Sequence, residues 1–256
     1  MIDSPGRIGL VGVGDFGLFC LEGFAETSDI QVVAVADPRP DLAERTASLR
    51  TGSLYSDWHA LLADPAVEVV HVATPPWTHA EITLAAAEAG KSVFVEKPLA
   101  LTVADADAMM AAFRSHNLTL GIDYVMRHSP IYRLLIDIVG SELLGRVRRI
   151  SVDNAAQSVP AGHWFWDPAK SGGILVEHGV HFFDVFQRIA GPARPLYCAD
   201  GTNRILAALA YDGGAWGTYY HDFSLDHRVE RFEAMVVFER GTARIAGWIP
   251  ELLELQ

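Results

Sequence analysis

Arg7-Ile8-Gly9-Leu10-Val11-Gly12-Val13-Gly14-Asp15-Phe16-Gly17 is the stretch whose reading decides the fold. Its first seven residues have the apolar density of a buried strand. Gly12, Gly14 and Gly17 then follow in the spacing G-x-G-x-x-G, with Asp15 and Phe16 inside the turn, and residues 16–26 continue as an amphipathic helix. Strand, glycine turn and helix open a βαβ unit. In that setting the glycines serve three separate purposes, namely a tight turn, close approach of backbone to a pyrophosphate, and close packing of helix on strand. The helix N-terminus adds unpaired N–H groups and the positive end of its dipole. The plainer alternative is a turn that only packs helix on strand.

The pattern repeats outward from there. Residues 30–36, 67–73, 92–95 and 118–121 read as further strands, and residues 40–49, 78–90 and 103–116 as helices between them. Strands spaced by helices of this length predict a doubly wound parallel sheet. Beyond a helix at residues 131–139 the reading changes. Strand-like segments at 147–156, 196–201, 205–211, 215–224 and 232–239 follow with tight turns such as Asp212-Gly213-Gly214, and one further helix runs near 175–190. The prediction is an α/β protein with a dinucleotide-binding domain over residues 1–122. An α+β domain with a mixed or antiparallel open sheet follows over residues 123–256.

The 256 residues carry 20 basic and 32 acidic side chains, a net charge of −12. That balance argues against nucleic acid or an anionic membrane as partner, both of which select clustered Lys and Arg. No apolar run is long enough to span a bilayer, and the first residues lack the basic start and apolar stretch of a signal peptide. Cys20 and Cys198 are the only cysteines, which excludes a disulfide framework and a zinc site built from cysteines, and no metal is expected. A cytoplasmic protein is expected.

Asp37 closes the second strand, 20 residues after Gly17. A carboxylate there accepts hydrogen bonds from the adenosine ribose and repels a 2′-phosphate, which favours NAD; Arg39 partly offsets that repulsion and keeps NADP open. At the end of the fourth strand stands Glu96-Lys97-Pro98. Ligands bind beyond the carboxyl ends of parallel strands, so the Lys97 ammonium points to chemistry on a hydroxyl or carbonyl oxygen; the alternative is a solvated lysine. In residues 171–184, Glu177 and His181 are four apart and share a helix face, with Asp184 nearly in line. A carboxylate beside an imidazole suits a general acid or base near neutral pH. The alternative is a buried helix whose polar groups satisfy one another. Trp164, in His163-Trp164-Phe165-Trp166, offers a platform for a sugar ring or ordinary core material.

Gly12 to Gly17, Asp37, Ala73-Thr74-Pro75-Pro76 with His79, Gly90-Lys91 leading to Glu96-Lys97-Pro98, and Ser171 to Asp184 together resemble the glucose–fructose oxidoreductase/inositol dehydrogenase (Gfo/Idh/MocA) family. The resemblance implies a Rossmann domain and a C-terminal domain with an open sheet. It also implies hydride transfer between NAD(P) and a sugar, cyclitol or similar alcohol. By that precedent Thr74, Pro75, His79, Glu96 and Lys97 belong to the cofactor side. Lys97 orients the reacting oxygen, His181 carries its proton, and Arg127, after Tyr124, lies on the substrate side with His178. Glu177 stands where the family usually has Asp. The family commonly runs longer than this chain, and pairing through the C-terminal sheet makes a homo-oligomer an expectation.

Three rival readings stand beside this one. His178 and His181 with Glu177 have spacing that can hold zinc, although the other signals need no metal. The dinucleotide module can serve as a non-catalytic sensor or scaffold. Bound NAD can also serve a redox-neutral lyase or hydrolase reaction on a sugar.

Overall fold

The computed structural model describes residues 5–39, 41, 46, 49, 52–247 and 250–256. The chain divides into two compact units, Met1–Asp123 and Tyr124–Gln256.

In the first unit, β1 (Gly6–Val11), β2 (Ile30–Ala36), β3 (Ser53–Tyr55), β4 (Val69–Val72), β5 (Ser92–Val95) and β6 (Leu120–Ile122) form one sheet. Its order is β3-β2-β1-β4-β5-β6, with every pairing parallel. The switch in direction of winding at β1 and β4 is the doubly wound topology. α1 (Asp15–Ala25), α2 (Trp58–Ala63), α3 (His79–Glu88) and α4 (Val103–Ser115) connect the strands. Successive strand residues face opposite sides, and the core divides accordingly. Leu10 and Val35 pack with Leu21 of α1. Val11, Ala36, Val72 and Val95 pack on the other side with Leu61, Ile82, Ala86 and Phe113 from α2, α3 and α4. The expected helix at 40–49 lies largely outside the described residues. β3 and α2 carried too short a period to be seen in the sequence.

The second unit contains α5 (Pro130–Gly140), α6 (Pro168–Ser171), α7 (Val180–Ala190) and seven strands. These are β7 (Val147–Ala155), β8 (Ala193–Gly201), β9 (Arg204–Tyr211), β10 (Trp216–Asp222), β11 (Arg231–Phe238), β12 (Thr242–Ala246) and β13 (Leu252–Leu255). The order is β13-β12-β11-β7-β10-β9-β8. β7 and β10 run parallel and the other pairs antiparallel, which makes the sheet mixed. One face packs on α5 and α7: Tyr132, Leu135, Phe182, Val185 and Phe186 meet Ile150, Val152, Tyr219, Ala234 and Val236. Phe182 stacks on Phe232 at 4.9 Å between ring centres. Among the described residues, no helix is long and apolar enough to cross a membrane.

Candidate functional site

The glycine turn is built as its spacing requires. Gly12 has φ +93°, and a Cβ there would sit 2.6 Å from the Ala73 carbonyl oxygen. A Cβ on Gly17 would lie 2.1 Å from the Gly12 carbonyl oxygen. Side chains at either position are therefore excluded by the protein itself. Gly14 differs: its nearest neighbour would be Arg39 Nη2 at 3.8 Å. Packing does not demand a glycine there. Gly14 caps α1, and Asp15 and Phe16 occupy its first turn, with Phe16 exposed.

Asp37 is buried at the end of β2. Its carboxylate accepts the Val13 N–H at 2.8 Å, and the Arg39 backbone N–H and Nε at 2.9 and 3.1 Å. Arg39 Nη2 adds a fourth bond at 3.2 Å. Burial pushes the carboxyl upward, but the bonds from Arg39 and Val13 outweigh it and hold the group below its ordinary range. The carboxylate is thus fixed beside the glycine turn, with a guanidinium laid across it. The chemistry of these residues, an exposed backbone turn and a fixed carboxylate, fits an adenosine ribose and pyrophosphate.

Thr74, Pro75 and His79 are organised by one imidazole. His79 Nδ1 faces the Pro98 carbonyl at 2.7 Å and Nε2 the Thr74 carbonyl at 2.8 Å. The buried ring ties the segment after β4 to the segment after β5, and burial lowers its pKa. Lys97 lies between those anchors, half-buried, joined to Pro98 by a cis peptide bond. Its charge lowers the pKa of neighbouring Glu96, but burial dominates and pushes Glu96 up to about 7. Glu96 Oε1 stands 3.3 Å from His71 Nε2.

In the second unit the helical segment departs from its sequence reading. Residues Leu175–Gly179 form a π turn that passes into α7 at Val180. A four-residue spacing aligns side chains only on an α-helix, so the wider turn alters the phase between Glu177 and His181. Both remain buried. Asp184 leaves that group: Arg127 Nε and Nη2 bind its carboxylate at 2.7 and 2.5 Å. The Arg127 guanidinium also lies 4.7 Å above the Tyr124 ring. A bidentate pair of this kind holds the residues around Arg127 on α7.

His178 Nε2 is 2.8 Å from Asn154 Nδ2, and the same amide reaches His221 Nδ1 at 3.3 Å. Asn154 and His221 are register partners on β7 and β10. Burial lowers the pKa of His221 to about 4, so it is neutral at physiological pH. His178, Asn154 and Phe223 line a cavity of about 720 Å³ together with Gln157, His227 and Arg231. Trp164 opens a short 3₁₀ turn, half-buried against the Phe165–Phe223 cluster. The sequence singles out neither Asn154 nor Phe223 and assigns no role to His221. The signal for Asn154 was present: Ile150, Val152 and Asn154 alternate inward, and the third is polar where the pattern calls for an apolar side chain.

Comparison with known proteins decides the family. Residues 6–124 match the oxidoreductase family with the NAD-binding Rossmann fold, and residues 132–244 match the GFO/IDH/MocA C-terminal domain. The chain belongs to the Gfo/Idh/MocA family. Among its relatives, myo-inositol 2-dehydrogenase of Thermotoga maritima is 28% identical, over 88% of this chain and 72% of that protein. The 1,5-anhydro-D-fructose reductase of Ensifer adhaerens is 31% identical, over 71% of this chain and 55% of its own length. The chain therefore spans about half the length of several curated Gfo/Idh/MocA relatives. The fold matches that of the WlbA dehydrogenase from Bordetella pertussis, crystallised with NADH and UDP-GlcNAcA. The TM-score is 0.91 at 20% identity, covering 99% of this chain and 78% of that one.

Proposed function

We propose that the protein is an NAD-dependent oxidoreductase that moves a hydride between nicotinamide and the carbinol carbon of a sugar, cyclitol or related alcohol. The observation that carries this reading is the cradle of Gly12, Gly14 and Gly17 beside the fixed carboxylate of Asp37. It leaves room at Gly14 alone, where a pyrophosphate approaches the backbone. The names of the relatives, among them an inositol dehydrogenase and an anhydrofructose reductase, support a hydroxylated carbon skeleton as substrate.

When bound, nicotinamide supplies the hydride acceptor. Lys97 orients the substrate oxygen and stabilises the negative charge that grows on it as its proton leaves. His181 takes that proton in oxidation and returns it in reduction. Glu177 and the π turn position His181. His178, Asn154 and Phe223 hold the rest of the substrate through one imidazole, one amide and one aromatic face. Arg39 extends cofactor use to NADP at lower affinity, since Asp37 occupies its guanidinium.

The test is a screen of cyclitols, hexoses and their anhydro or lactone forms for NADH formation or consumption. It is run alongside direct NADH and NADPH titrations monitored by energy transfer from tryptophan. Turnover with at least one polyol class and preferred NADH binding are expected. Cofactor binding without turnover on any of them, in either direction, would favour a sensor.

A further inference from the structure

We propose that Cys20, His71 and Glu96 form a binding site for a zinc-class divalent cation inside the first unit. The three come from α1, from the middle of β4 and from the residue after β5. One donor atom of each lies within 4.8 Å of the others. A thiol, an imidazole and a carboxyl converging at one point form a donor set suited to a borderline-soft ion. The inference stands on this geometry and does not depend on the hydride-transfer reading.

Zinc bonds to sulfur, nitrogen and oxygen donors set the donors about 3.3–3.6 Å apart around a tetrahedron. The His71 Nε2 to Glu96 Oε1 separation of 3.3 Å already matches one such edge. The edges to sulfur lie within 4.8 Å, so a tetrahedron needs them closed by at most about 1.2 Å. Imidazole orientation is fixed by packing: Phe24 and Phe94 meet the His71 ring edge-on at 5.6 and 5.3 Å.

Position 71 is the informative one. It sits between Val70 and Val72 in a central strand, and His71 is 2% exposed. Its Nδ1 has no hydrogen-bond partner among the described residues. With no bond on Nδ1, the ring is held in the core only by the long Nε2 contact to Glu96, a costly arrangement that a cation bound at Nε2 would strengthen. Asp123 hydrogen-bonds Glu96 and acts electrostatically on Cys20 and His71. That places a fourth group, a second carboxyl, near the same point, to ligate or to hold a ligand in place. A thiol binds such a cation as the thiolate, so binding at Cys20 releases a proton. Binding there would pin α1, the helix that opens at the glycine turn, to the centre of the sheet.

The experiment treats the purified protein with a chelator, then titrates it with Co²⁺ and displaces the ion with Zn²⁺. Stoichiometric binding is expected, with a sulfur-to-cobalt charge-transfer band in the near ultraviolet and strong visible bands of four-coordinate cobalt. Cys20→Ser and Cys20→Ala should lose the charge-transfer band, His71→Phe should lose the four-coordinate spectrum, and Cys198→Ser should keep both. Zinc should raise the unfolding temperature of the wild type and of Cys198→Ser alone. A wild type without the band, or a band that survives in both Cys20 variants, overturns the proposal. Because the readout is metal binding, a failure of NADH binding with the cobalt spectrum intact would count against the cofactor reading and not against this site.

Discussion

The glycine turn and the Leu175–Gly179 segment are both short, polar-flanked connections into a helix, yet they relate to sequence in opposite ways. In the first, spacing and geometry coincide. Gly12 and Gly17 are demanded by backbone atoms that press on them, and Asp37 closes on Val13 by one backbone hydrogen bond. In the second, the spacing assumed an α-helix and the chain forms a π turn. The partners of its side chains come from remote strands or loops, as Asn154 does for His178 and Arg127 for Asp184. Local backbone chemistry is legible in a motif. Side-chain partnership across a sheet is not.

The comparison predicts its largest effect where chemistry is concentrated on one side chain. Lys97→Met should lower kcat about 10³-fold, about 4 kcal/mol in the barrier, while NADH affinity stays within about twofold. His181→Asn should cause a similar loss. Steady-state kinetics with the best substrate checks both, and wild-type turnover in either variant removes that residue from the mechanism.

Next come the glycines, whose two roles can be separated. Gly17→Ala forces a Cβ against the Gly12 carbonyl and should cost about 3 kcal/mol or more in urea unfolding. Gly14→Ala meets only the end of Arg39, so it should change stability by less than about 1 kcal/mol and yet weaken NADH at least tenfold. Equal damage to stability from both would erase the distinction between a packing glycine and a ligand glycine.

Asp37→Ala should weaken NADH by about 10–100-fold and NADPH by less, since it frees Arg39 while removing the ribose acceptor. It also orphans the Val13 N–H. Because the Asp37 carboxyl is held below its ordinary range, its bonds contribute stability above about pH 4. That contribution disappears as pH falls through the lower folded value. The variant should therefore lose its stability deficit in acid, which pH-dependent unfolding measures.

The smallest effect belongs to the second unit's remote pair. Asn154→Leu keeps the branched shape but removes the amide from His178 and His221. It should raise KM several-fold, with kcat changed less. A kcat effect as large as that of His181→Asn would mean that Asn154 acts on the reacting atoms.

Most of the fold was legible. The strand–helix alternation of residues 7–121 and the strand succession after 147 follow from periodicity, and Ser92–Val95 forms the strand its pattern predicts. What escaped was short or context-bound. Ser53–Tyr55 and Trp58–Ala63 are too brief to carry a period, and β12 and β13 follow the last expected strand without a strong pattern of their own. The polar residues were visible, His71 as a break in an apolar run and Asn154 as a break in alternation. Their partners were not, because tertiary pairing brings those together.

The central claim is that the turn at Gly12–Gly17 and Asp37 bind NAD and that Gly14 is the point of contact. Titrating wild type and Gly14→Ala with NADH, by energy transfer from tryptophan, tests it most directly. Saturable binding by the wild type and at least tenfold weaker binding by an equally stable Gly14→Ala are expected. Equal affinity in the two proteins, or no binding by a folded wild type freed of any carried cofactor, would contradict it.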